Sequence, residues 1–474
     1  MIDKVYTPQL ELLHRGKVRD SFRLNADQRL IIVTDRISAF DLKIKTLIAG
    51  KGEVLNRLAA FWFDKTRHII ANHVVSVPDP QAMVVHECTP IRVEMVVRGA
   101  ICGTLWRAYK AGRRSFCGVE LPQGLTENAL LAEVIVTPTT KDDADREITP
   151  AEAVTLGLTD ADTFAQMATI AKALFAEGTR IARDRGLILA DTKYEFGMWR
   201  GQLVLMDEIH TPDSSRFFDA DAYERDPLTV GSFDKEFVRK WMRANTSGGA
   251  LPLHLPADVA AETTTRYQAL FERLTGEKVP VDPRPPRQRL RENLVANQVI
   301  CDGYVAIIMG SRIDLAFAEP IAKDLRRHGV AVDIRVLSAH KNGDRIGEAV
   351  VEYNNSLESG AVIAIAGESN GLGGALAANL NLPVINCPPF KDAADYLTNI
   401  HSSLRMPRNA PAMTVVSPSL AVQAALRALN IPRLRCIIDQ EIASVRATLA
   451  HDDADVRHKA RNAIDRASPT QAGK

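Results

Sequence analysis

Asp191, Lys193 and Glu195 occupy alternate positions of a β-prone run at 187–196, so on a strand they share one face while Thr192, Tyr194 and Phe196 share the other. Two acids flanking a lysine make a poor core, so their face is directed at water or at a charged ligand. A second run at 202–209 returns after a short connection that contains Gly201, which predicts a hairpin. It brings Asp207 and Glu208 near Glu195, and the register decides which of the two shares its face. One carboxylate from each of two neighbouring strands is a usual way to hold magnesium while nucleotide phosphates complete its shell. A solvated sheet face is the alternative on these residues alone.

Other donors lie at the ends of β-prone runs. RGKVRD places Lys17 and Arg19 beside Gly16, without the spacing of a P-loop. TDRISAFD supplies Asp35, VVRGAICGT supplies Arg98 and Thr104, TPTTKDD supplies Lys141, and TPDSSRFF supplies Arg216, whose planar fork suits a carboxylate or phosphate. In the last third, Gly310 and Ser311 open a helix after a strand, SAHK (338–341) follows the next strand, and GESNGLGG (367–374) has four glycines in eight residues. Such a loop suits backbone packed against a ligand or a close helix-to-sheet contact.

Elements must position these residues. From Tyr304 onward short β-rich runs (YVAIIM, VAVDIRVL, AVIAIA, LPVINC, AMTVVS) alternate with helical segments, the pattern of a parallel sheet flanked by helices. Leu315, Ala318, Ala322 and Leu325 form one apolar helical stripe. The first half reads as mixed α+β, with strands at 29–36, 91–99, 187–196 and 202–209 and a long helix near 163–185. The segment rich in Pro and Arg from Pro280 reads as a linker. The expected layout is therefore an α+β domain over 1–279, a linker over 280–300, an α/β domain over 301–450, and a charged, partly disordered tail over 451–474.

The 474 residues exclude a single small module, and 59 Lys+Arg against 58 Asp+Glu leave a formal charge of +1. No basic field gathers nucleic acid or an anionic membrane. The six cysteines lack both zinc spacing and disulfide-scaffold density. With no apolar leader and no run of 18 apolar residues, a cytoplasmic protein without membrane spans is expected.

Taken in order, GKVRD, DRISAFD, VVRGAICGTLWRAY, LPQGL, TPTTK, LADTKYEFG and DEIHTPDSSRFF resemble the SAICAR synthetases of de novo purine biosynthesis over about residues 10 to 275. The resemblance implies an ATP-binding α+β domain that joins aspartate to the carboxylate of carboxyaminoimidazole ribotide, with release of ADP and phosphate. Position by position it implies ATP phosphates on Lys17, Arg19 and Lys141, and magnesium on Glu195 and Asp207. Arg98, Thr104, Lys193 and Arg216 would bind the ribotide, with Lys193 and Asp191 at the reacting groups. Thr104 stands where serine is commoner and keeps the hydroxyl.

MGSRID, SAHK, AGESNGLGG, PVINCPP and SSLRMP resemble the aminoimidazole ribotide carboxylases over about residues 303 to 435, in their animal-like class II form. That implies a flavodoxin-like α/β domain using carbon dioxide or bicarbonate, a homo-octamer built through it, and a bifunctional chain. Its site would comprise Ser311, Asp314, Ser338, His340, Lys341, Ser369, Asn370 and Arg405. His340 would move the proton, since histidine titrates near neutrality. Ile313 replaces the serine usual in this motif and removes a hydroxyl expected at the ribotide. A monofunctional ligase with a non-catalytic second domain, serving as ligand-binding or oligomer-building scaffold, is the alternative that Ile313 favours.

Overall fold

The computed structural model of the chain describes residues 1–142 and 145–467. It divides into two units, one comprising Met1–Val5 and Leu10–Ile300, the other Tyr6–Gln9 and the chain from Cys301 onward.

The first unit is built on two antiparallel sheets. Strands β1 (Glu11–Arg15), β2 (Arg19–Arg23), β3 (Gln28–Val33), β4 (Val74–Asp79) and β5 (Ala82–His86) form one, in the order β1-β2-β3-β5-β4. The other contains β6 (Thr89–Ala100), β7 (Leu130–Val136), β8 (Leu187–Trp199) and β9 (Gln202–Met206) in the order β7-β6-β8-β9, with β10 (Ser215–Asp219) also paired to β8. The expected alternation along β8 holds, with Thr192, Tyr194 and Phe196 all buried beneath the face that carries Asp191, Lys193 and Glu195.

Helix α1 spans Lys51–Thr66 and α2 spans Ala161–Arg183. The Asp160 side chain caps α2 by accepting from Thr163 N, and Phe164, Met167, Ala171, Leu174 and Phe175 form its buried stripe. Burying each Leu or Phe side chain there contributes about 1.5–3 kcal/mol. Helices α3 (Glu236–Ala244), α4 (Ala257–Thr275) and α5 (Pro286–Ala296) follow.

Helix α5 is where the linker was expected, and the structure differs for a local reason. Pro286 lies in the first turn of the helix, where its missing N–H would have had no partner, so proline starts α5 and does not break it. The helix belongs to the first unit. Buried Arg289 donates from Nη1 to Glu53 at 2.6 Å and from Nη2 to Gln81 at 2.9 Å, while Asn293 donates to Asp79 at 2.8 Å.

The second unit is a five-stranded parallel sheet. Its strands β11 (Gly303–Met309), β12 (Ala331–Val336), β13 (Ser359–Ile365), β14 (Val384–Asn386) and β15 (Met413–Thr414) lie in the order β12-β11-β13-β14-β15. This is the 2-1-3-4-5 order of the flavodoxin-like doubly wound fold, as expected. Helices α6 (Leu315–Arg327), α7 (Asp344–Asn354), α8 (Gly371–Asn379), α9 (Ala393–Leu404) and α10 (Pro418–Leu429) connect or flank the strands. Alternate residues of β11 feed two cores, Val305, Ile307 and Met309 packing with residues of α6 and α10, and Tyr304, Ala306 and Ile308 with residues of α7 and α8.

Two further differences concern the ends of the chain. The expected first domain is not continuous, because Tyr6–Gln9 belong to the second unit. There Leu357 N donates to Tyr6 O at 2.9 Å, the Thr7 hydroxyl donates to buried Glu358, and Gln9 exchanges hydrogen bonds with the backbone of Cys301 at 2.8 and 3.0 Å. The expected tail from 451 instead continues helix α11 (Pro432–Ala467), and its last residues, 468–474, lie outside the described residues.

Candidate active sites

The register left open by the sequence is settled by β9. Glu195 pairs with Met206, and Trp199 pairs with Gln202 around a two-residue turn in which Arg200 and Gly201 have φ of 50° and 79°. Positive φ at both residues is what a tight hairpin needs to match strand twist. Asp207 follows the last paired residue with φ 67°, a left-handed conformation that swings it out of simple alternation, and it lines the same cavity as Glu195.

That first cavity, of about 330 Å³, gathers Lys17, Arg19, Lys141, Glu195 and Asp207, the five residues expected at nucleotide phosphates and magnesium. Val18, Ile31, Val85 and Met206 give it an apolar part suited to a flat base. Arg19 donates to Asp207 at 2.6 Å and lies 2.7 Å from Glu208, and Lys141 is ion-paired to Glu195. Burial opposes ionisation of Asp207, yet Arg19, Lys193 and Lys141 hold its carboxyl below the usual range. Burial lowers the pKa of Lys141. Lys17 is farther out, paired with exposed Asp41 at 2.6 Å.

The second cavity, of about 480 Å³, gathers Arg98, Thr104, Asp191, Lys193 and Arg216. Glu94 on β6 stands directly opposite Glu195 on β8, a repulsive cross-strand pair that Lys193 offsets by donating to both at 2.7 Å. Although burial opposes it, Glu94 and Asp207 raise the pKa of Lys193 and keep it charged. Asp191 accepts from Arg216 at 2.6 Å and from Arg98 at 3.4 Å, so one carboxylate orients two guanidinium groups. Gly103 is required here, since its φ is 59° and a Cβ would stand 2.9 Å from the Arg216 guanidinium.

Several residues of this cavity escaped the sequence reading. Asp213 sits between Lys51 at 2.8 Å and Lys235 at 3.1 Å and accepts from the Tyr267 hydroxyl at 2.8 Å. Burial opposes the Asp213 charge, and the two lysines hold its carboxyl low. Arg239 and Arg243 on α3 face the same cavity, and their i, i+4 spacing with Lys235 was the available signal. Asp35 is instead structural, accepting from Ile2 N at 2.7 Å and Gly52 N at 3.0 Å.

The third cavity, of about 450 Å³ in the second unit, lies at the carboxyl ends of its strands, where open α/β sheets bind ligands. Ser311, Asp314, Ser338, His340, Lys341 and Ser369 line it. His340 is exposed and packs on the backbone of Gly371, where a Cβ would stand 2.9 Å from Nε2. Asp314 is pushed up by burial. Two expected residues are not among the lining: Asn370 spends its side chain capping α8, accepting from Gly373 N at 2.9 Å, and Arg405 is exposed at the C-terminal end of α9. Ile313 is 86% exposed at the rim. The glycine loop also supplied a close contact, since Gly373 packs on Asn386.

Residues 12–252 match the family model for SAICAR synthetase, and residues 304–452 match that for AIR carboxylase. The phosphoribosylaminoimidazole-succinocarboxamide synthase of Bacteroides fragilis is 43% identical over 301 residues, which are 61% of this chain and 95% of that protein. The enzyme of the same name from Cytophaga hutchinsonii is 40% identical over 293 residues, 60% of this chain and 94% of that protein. Among solved structures, the SAICAR synthase from Saccharomyces cerevisiae complexed with SAICAR is similar with a TM-score of 0.53 and 34% identity, covering 59% of this chain and all of that one.

Proposed function

The chain belongs to the SAICAR synthetase family, and on that premise we propose that it is a bifunctional enzyme of purine biosynthesis whose second unit makes the ribotide that its first unit consumes. What supports the reading most is that the expected ligase residues fall into two adjoining groups along one strand, β8, with Glu195 in the first cavity and Asp191 and Lys193 in the second. ATP on the first side and ribotide on the second would then meet at the Lys193 ammonium.

In the ligase reaction, a carboxylate resists an amine until one of its oxygens is phosphorylated. Lys141, Lys193 and Arg19 offset the negative charge that crowds together as the acyl phosphate forms, and the aspartate amine then displaces phosphate. Arg98 and Arg216, oriented by Asp191, hold the ribotide. Glu195 and Asp207 fit a magnesium ion, since two carboxylate donors beside a phosphate-sized space are what that ion takes from a protein. The ion would supply further charge neutralisation on the phosphates.

In the carboxylation, the ring carbon of aminoimidazole ribotide forms a bond to carbon dioxide and loses its proton. His340 takes that proton, and Lys341, Ser311 and Asp314 hold substrate groups around it. Asn370 and Arg405 remain proposed members of the site, although neither is part of the cavity lining.

No helix among the described residues is long and apolar enough to cross a membrane. The cytoplasm is the proposed location. Association of the second unit into a homo-octamer is part of the proposal, and exposed apolar side chains such as Leu397, Leu404 and Leu420 would be available for burial in it. The test is direct: the full chain, given aminoimidazole ribotide, bicarbonate, ATP, magnesium and aspartate, should form SAICAR. Omission of aspartate should leave the carboxylated ribotide, and omission of bicarbonate should leave neither.

A further inference from the structure

Glu368 stands in the glycine-rich loop with φ 55°, a left-handed conformation that a residue with a side chain holds only when its surroundings fix it. What fixes it is helix α9. Glu368 N donates to Asn399 Oδ1 at 2.6 Å. The same amide donates from Nδ2 to Pro389 O at 2.6 Å and to Asp395 at 3.2 Å, and Asn399 is only 3% exposed. One buried side chain therefore ties the glycine-rich loop to the loop after β14, and both loops line the third cavity.

The next turn of α9 continues the pattern. Ser402 Oγ accepts from Asn370 N at 2.6 Å, and Ser403 Oγ accepts from Asn370 Nδ2 at 3.0 Å. Asn399, Ser402 and Ser403 stand at i, i+3 and i+4, one face of the helix. Gly367 leaves room for the amide, since a Cβ there would stand 3.3 Å from Asn399 Nδ2.

We propose that this polar stripe of α9 is the positioning element of the carboxylase site, with Asn399 and Ser402 acting through the loop to hold Glu368 and Ser369 in the shape that receives the ribotide. The inference rests on the carboxylase reading of the second unit.

The test uses the full chain and four forms of it: unaltered, Asn399→Leu, Ser402→Ala and Ser402→Thr. Asn399→Leu should lower kcat/KM for carboxylation about a hundredfold, the scale set by misplacing a binding group by about 1 Å. Ser402→Ala should lower it about tenfold, and Ser402→Thr, which keeps the hydroxyl, should restore it. Ligase activity should be unchanged in all four. Amide exchange at Glu368 and Asn370 should quicken in Asn399→Leu and Ser402→Ala while the β11 and β13 amides stay protected.

Unchanged exchange at the loop would overturn the proposal whatever the activities. So would a Ser402→Thr chain as impaired as Ser402→Ala. If Asn399→Leu unfolds the second unit, the two Ser402 variants decide. A lack of carboxylation in the unaltered chain would overturn the functional reading, and the exchange data would still decide whether α9 holds the loop.

Discussion

The two units present their functional side chains in opposite ways. In the first, the floor of the site is a strand, and Asp191, Lys193 and Glu195 are aimed by alternation along β8 and tied by ion pairs to β6 and β10. In the second, buried strands carry no site residue in their interior, and the cavity is made of loops that follow β11, β12, β13 and β14 together with residues of α8 and α9. Charge placed by a sheet is fixed by register, so errors are all or none. Shape placed by loops depends on caps and side-chain amides, so errors are graded.

Experiments can break this contrast, the largest expected effect first. Glu195→Gln should reduce aspartate-dependent ADP formation by up to about a thousandfold, the scale of removing an electrostatic group that acts in the transition state, with carboxylation untouched. Turnover close to that of the unaltered chain would remove Glu195 from the reaction. His340→Asn should lower kcat of carboxylation about a hundredfold, as loss of a general base does, and leave the ligase alone. A change confined to KM would demote His340 to a binding role.

A third experiment concerns the edge of the first unit. A chain ending at residue 300 should be more stable than one ending at 278, because the shorter chain strips Arg289 and Asn293 from buried Asp79. Breaking a buried ion pair costs about 3–5 kcal/mol. Equal denaturation midpoints would show that α5 adds nothing.

Ile313→Ser should lower KM for the ribotide by up to about tenfold with kcat little altered, the mark of a contact made equally in ground and transition states. Because Ile313 is exposed, melting should not change. An unaltered KM would mean that the site has no use for the hydroxyl.

The smallest effect is a pH dependence. Burial alone would lower the pKa of His328, but hydrogen bonds to the Asp324 carbonyl and to Glu441 raise it above 6.5. A raised pKa stabilises the fold fully below the unfolded value and loses that contribution as pH rises through the folded value. The melting temperature of the second unit should therefore fall with rising pH across that interval, less steeply in His328→Gln. Parallel curves would rule the contact out as a source of stability.

What could be read in the sequence follows the same contrast. The face of β8, the five strands of the second unit and the stripe of α6 obey short periods, and their residues fell where those periods put them. The register at Asp207 did not, because a single left-handed residue ends the alternation. Lys51, Asp213 and Lys235 meet from three distant stretches of chain, and no local spacing announces such a meeting. Pro286 was legible as a breaker but equally suits a first turn, and only the packing of Arg289 distinguishes the two. Asn370 reads as a ligand-binding residue by motif, and no motif shows that its side-chain oxygen caps α8 while its side-chain nitrogen reaches Ser403.

The place of Tyr6–Gln9 has a consequence for how the chain comes into being. These residues are made before Cys301, Leu357 and Glu358, which receive them and come some three hundred residues later. At about 5–20 residues per second, the wait is on the order of tens of seconds to a minute. During synthesis Tyr6–Gln9 must stay unclaimed while everything from Leu10 to Ile300 has time to fold around its own core. Tyr6–Gln9 are then made before the stretch from Leu10 to Ile300 and seated after it.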